Sequence, residues 1–251
     1  VLCLRGLAMP SPSFYLGVAS NLCALVSLVL VVMALYFGVW SGAEVTMPEY
    51  PGEKAPTSRI DFGLYECTSY FFDDKHGHST QYAKLKQSND VKVLRFTGIG
   101  VSVLASLSIS CSAGLLLIYC TRAIFIQIWS LQERVMPTKK EDLVLSILAF
   151  TGAVAGTVGL ALWAIAGYRA TLKIRQSMAQ IPLPIVSITP EFGISYFLDS
   201  ASVFVSIACA TLQATIGCLN QARREMGIAG GIILDYDSFG HRNAPCAPDP
   251  L

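Results

Sequence analysis

The run ALVSLVLVVMAL, residues 24–35, is apolar at every position except Ser27. It lies inside a longer stretch, 14–39, that carries no charged side chain. A helix crosses the hydrocarbon of a bilayer with about 20 apolar residues, and this stretch has enough with allowance for tilt. The apolar core of a cleaved signal peptide spans only about 7–15 residues and is followed by a small-residue cleavage site, which is missing here. The stretch therefore predicts a retained membrane span. Working outward, three similar runs follow at 96–119, 143–166 and 192–219.

Composition agrees with a membrane protein. Of 251 residues, 53% are hydrophobic and 14% charged, where soluble domains carry about 25% charged residues. Mean hydropathy is +0.53. A net charge of +1 with no cluster of Lys and Arg gives no case for a nucleic-acid partner. The expected fold is an all-α membrane protein, a four-transmembrane-helix bundle with a small antiparallel β-sheet in its first loop. The expected segments are a tail at 1–13, spans at 14–39, 96–119, 143–166 and 192–219, and a tail at 220–251. Between the spans lie loops at 40–95, 120–142 and 167–191. The tail is Gly- and Pro-rich after its arginines and is expected to be disordered. Positive charges flank both sides of the spans, so the positive-inside rule does not orient the chain.

The 40–95 loop is the expected working part, since a connection this long is usually a folded, functional element. It holds seven of the 18 basic residues and eight of the 17 acidic ones. Ile60, Phe62 and Leu64 alternate with Asp61 and Gly63, the pattern of a half-buried strand. Tyr70-Phe71-Phe72 predicts a second strand, and the alternation from Tyr82 to Lys86 a third.

The third span carries Gly152, Gly156 and Gly159. Small residues at this spacing let helix backbones approach closely in lipid, so they predict a packing face, within the chain or between two copies. Cys120 and Cys218 fall at span ends on one side and are candidates for palmitoylation. Cys67 is expected to be a buried free thiol or one half of a bridge to another chain. His76, His78, Asp73 and Asp74 are the nearest approach to a metal-ligand cluster, and loop composition explains them without a metal.

No catalytic motif occurs, and no cofactor or small-molecule substrate is expected. A transporter or membrane enzyme needs polar groups that converge within the membrane, which the spans are not expected to supply. Asp199 is the only candidate inside a span, expected near the interface or paired with Arg95 or Arg169.

Several residues together resemble the claudin superfamily, which includes claudins, peripheral myelin and epithelial membrane proteins, and channel gamma subunits. Trp40 stands just after the first span. Gly63-Leu64-Tyr65 resembles the family's Gly-Leu-Trp, and Cys67 follows as its first loop cysteine. Arg95 precedes the second span, and Glu191-Phe192-Gly193 leads into the fourth. The resemblance spans nearly the whole chain. It implies a first loop outside the cell, a sheet stapled by two cysteines, and no enzymatic activity. The second loop cysteine is absent here. The implied function is adhesion and paracellular barrier formation at plasma-membrane cell–cell contacts, with the protein itself as partner in cis or trans amid membrane lipid. The alternative is an auxiliary gamma-type subunit docked on an ion-channel subunit.

Overall fold

The computed structural model describes residues 12–46, 57–70, 77–85, 88–129, 139–179 and 187–241. Five α-helices carry the chain: α1 (Pro12–Phe37), α2 (Asn89–Trp129), α3 (Lys139–Leu162), α4 (Tyr168–Ala179) and α5 (Ile194–His241). A π-helical turn, Trp163–Gly167, joins α3 to α4 without interrupting the rod. The segments Tyr15–Phe37, Asn89–Arg122, Lys139–Lys173 and Ile194–Met226 are long and apolar enough to cross a membrane. They make this an integral membrane protein with a four-helix bundle.

The bundle closes as a ring. α1 packs on α2, α2 on α3, α3 on α5 and α5 back on α1. Large apolar side chains such as Leu22, Val29, Phe150 and Phe204 are exposed on its outside. The buried positions favour small residues: Ala24, Ala34, Ala105, Ala149, Ala153 and several serines. This arrangement fits a lipid solvent, in which close packing and interhelical hydrogen bonds, rather than burial of apolar surface, hold helices together.

At one end of the bundle lies an antiparallel five-stranded sheet in the order β4-β3-β2-β1-β5. The first loop supplies β1 (Ser41–Thr46), β2 (Thr57–Phe62), β3 (Glu66–Tyr70) and β4 (His78–Gln81). The expected sheet is present, and the second loop adds β5 (Ser187–Phe192), which runs antiparallel beside β1. Both loops are therefore joined in one structure.

Several segment ends differ from the sequence reading. The third strand expected over 82–86 is instead a turn at Tyr82–Lys84. The strand ends at Gln81 because Tyr82 is drawn inward: its N–H donates to the Tyr65 carbonyl at 3.0 Å and its hydroxyl to the Gly63 carbonyl at 2.9 Å. Helix continues through the first part of the expected second loop, as α4. The tail expected to be disordered is helical to His241; no proline interrupts α5 before Pro245. Phe71, Phe72, Asp73, Asp74, His76 and Lys86 lie outside the described residues.

Candidate functional site

The sheet is fixed to the bundle at Trp40. This residue is fully buried between the end of α1 and the start of β1. Its backbone N–H donates to the Phe62 carbonyl at 3.0 Å, and its carbonyl accepts from Gly193 N–H at 3.0 Å. Two residues later, at the start of α5, Ser195 N–H donates to the Val39 carbonyl at 2.9 Å. Residues 39–40 thus join β2, β5 and the start of α5. The indole packs against that of Trp163, with ring centroids 5.6 Å apart. Gly167 makes room for this pair, since a Cβ there would lie 2.7 Å from the Trp163 ring. The π-helical turn brings Gly167 beneath that ring. The cluster extends through Ala34, Phe62, Leu64, Tyr82, Leu94 and Val101, drawn from sheet and spans alike.

Gly63-Leu64-Tyr65 forms the turn between β2 and β3, closed by Gly63 N–H donating to the Glu66 carbonyl at 2.8 Å. A Cβ on Gly63 would sit 2.7 Å from the Gly38 carbonyl oxygen, and Gly38 itself has φ +69°. Leu64 is buried, and its backbone lies against Gly98 of α2. A Cβ on Gly98 would come within 1.8 Å of the Leu64 carbonyl oxygen. Gly193 has the same role on α5's side, where a Cβ would be 2.2 Å from the Val39 carbonyl oxygen. Tyr65, beside Leu64, is 56% exposed.

The remaining residues singled out from the sequence fall in different settings. Cys67 in β3 is a half-buried free thiol, and its Sγ–H points at the Thr80 carbonyl, 3.8 Å away. Burial pushes this thiol's pKa up. Among the described residues no disulfide is present. Arg95 is exposed on α2 and does not enter the Trp40 cluster. Gly152, Gly156 and Gly159 pack inside the chain, where added Cβ atoms would meet Cys111, Val203 and Leu104 of α2 and α5 at 3.1–3.4 Å. Cys120 and Cys218 are exposed. His78 is exposed at the edge strand β4.

Within the sheet, Arg59 donates to the buried Asp61 at 2.8 Å. This hydrogen bond raises the arginine's pKa further. Gly42 on β1 lies opposite Asp61 and leaves space for its carboxylate. Burial raises the Tyr82 pKa strongly, so this phenol stays neutral and keeps donating to Gly63 across the physiological range. Tyr168, Phe192 and Tyr196 stack in a ladder, at 4.5 and 4.2 Å, where β5 meets α4 and α5.

The spans do converge polar groups, contrary to the sequence reading. Ser27 of α1 bonds Ser202 Oγ at 3.0 Å and Ser206 Oγ at 2.6 Å. Further along, the Gln213 amide donates to Ser20 Oγ and to the Tyr119 hydroxyl, both at 2.6 Å. On α5 the buried series Ser195, Asp199, Ser202, Ser206, Cys209, Gln213 is spaced by alternating fours and threes, which places it on one helix face. That spacing was the available signal; single serines in an apolar run did not attract notice. Asp199 is 4% exposed, and pairs with neither Arg95 nor Arg169, which are exposed. At the far end from the sheet, Asp142 of α3 accepts from Arg224 and from Asn220, the latter at 3.1 Å.

No protein-family model matches the chain, and no curated protein matches it. The resemblance to the claudin superfamily rests on the residues themselves.

Proposed function

We propose that this protein is a claudin-like, non-catalytic membrane protein of cell–cell contacts, located in the plasma membrane, with its sheet outside the cell. The observation that carries this reading is the joining of both loops into one five-stranded sheet seated on the four spans through Trp40. A sheet held this firmly offers a fixed surface to a neighbouring protein, and preorganisation lowers the entropic cost of association. The exposed Tyr65 and the open β4 edge are the parts of it free to make contacts in cis or trans with a second copy. Basic and acidic charges are nearly balanced in the first loop, so its net charge assigns the contact no ion selectivity.

The test is to express the tagged protein in cells that lack junctions. It is expected to concentrate at contacts between expressing cells and to promote their aggregation. Even distribution over the cell surface sinks the junctional reading.

A second reading, an auxiliary subunit docked laterally on an ion channel, is favoured by one feature of α2. Ser102, Ser106 and Ser110 form a row in which each hydroxyl is turned back onto its own helix at 2.8–2.9 Å, with Ser106 and Ser110 exposed. Small side chains with satisfied hydroxyls allow another helix to approach closely in lipid. Stoichiometric co-purification with a channel, without accumulation at contacts, selects this reading over the first.

A further inference from the structure

Asp199 lies in the second turn of α5, inside a membrane span, and among the described residues no lysine, arginine or histidine pairs with it. An intramembrane carboxyl is costly and usually marks a functional site. Its neighbours on the same helix face are Ser195, one turn toward the sheet, and Ser202, one turn the other way, and both are buried. Ser202 is bound to α1 through the Ser27 carbonyl at 3.1 Å. The Ser195 hydroxyl has no hydrogen-bond partner, and neither has the hydroxyl of Ser41 at the start of β1. These two residues meet at one junction: Ser41 pairs with Phe192, and Ser195 N–H bonds Val39. The indole N–H groups of Trp40 and Trp163, at the same end of the bundle, also lack acceptors.

Buried polar groups without partners are rare and call for an explanation. The Ser195 and Ser41 hydroxyls are such groups, and the buried Asp199 stands one turn from Ser195 on the same helix face, giving a set of hard oxygen donors with one carboxyl. That set matches a small monovalent cation. Calcium takes about 6–8 oxygen ligands, more than this set offers.

We propose that Asp199, with the Ser195 and Ser41 hydroxyls, binds a small monovalent cation, sodium by charge and ligand type, beneath the sheet. The ion neutralises the buried carboxylate. Water completing its shell also provides acceptors for the two indoles. Because its ligands come from α5 and from β1, the bound ion ties the sheet to the bundle.

The protein, purified into nanodiscs at constant pH and ionic strength, is unfolded thermally in sodium, lithium, potassium or choline chloride. Sodium is expected to raise Tm saturably above the choline value. Asp199→Asn is expected to abolish the rise, and Ser195→Ala to move its midpoint several-fold higher in sodium. The same Tm in choline and sodium, or an unchanged sodium response in Asp199→Asn, overturns the proposal. A rise in Tm on acidification without any dependence on the cation also overturns it, and leaves a protonated carboxyl in its place. If Asp199→Asn does not fold, sodium-23 NMR of the wild-type protein decides. Excess line broadening over empty nanodiscs, reversed by lithium, supports the site, and its absence refutes it.

Discussion

At Gly98 there is no space for any side chain, because the Leu64 carbonyl oxygen occupies the place of a Cβ. Gly98→Ala must push the β2–β3 turn off α2. Forcing extra volume into a packed site costs about 1–3 kcal/mol, and thermal unfolding in detergent is expected to show a correspondingly lowered Tm. Cys67 shows a different residue-scale effect. Its half-burial and raised pKa leave little thiolate, so at pH 8 it is expected to alkylate more slowly in the folded protein than after denaturation. Mass spectrometry of iodoacetamide-treated protein reads the difference directly. The resemblance to the claudin loop signature pointed to Trp40, Gly63 and Leu64, and the alternation around Asp61 pointed to Leu64 as well. It did not reveal Gly98 as their counterpart. One more small residue in a Ser- and Gly-rich helix carries no mark of which strand turn will rest on it. Arg95 is exposed, since a charge at a span end is equally at home in water.

At the level of elements, the hydrophobic periodicity of the spans was easy to read, and their lengths less so. α4 continues α3 through the π-helical turn, where the lipid-crossing run gives way to the polar sequence from Arg169 to Arg175. Composition registers that change as a loop, while the backbone continues as helix. β5 was hidden because Pro190 within Ser187–Phe192 argues against a strand, and because strand pairing is non-local: its ladder comes only from β1, far away in sequence. The α1–α5 seam follows the same logic, since its serines become a pattern only when seen down the α5 face. Ser27→Ala removes hydrogen bonds to both Ser202 and Ser206. Interhelical hydrogen bonds in membranes are worth about 0.6 kcal/mol on average and up to about 1.7. Ser27→Ala is therefore expected to lower unfolding stability by about 1 kcal/mol in a denaturant titration. Gln213→Leu is expected to cost more, because it leaves the Ser20 and Tyr119 hydroxyls without their shared partner.

The whole molecule has two unlike ends. One carries a sheet drawn from both loops and locked by Trp40, Gly98 and Gly193. The other is closed by the charged clasp of Asp142, Asn220 and Arg224. The proposed function requires the sheet end to face the outside of the cell, which the distribution of positive charge does not decide. The most direct measurement is antibody access to an epitope tag inserted between residues 75 and 77, ahead of β4. The tag is predicted to be labelled on intact, unpermeabilised cells. Labelling only after permeabilisation would place the sheet in the cytosol and contradict the account.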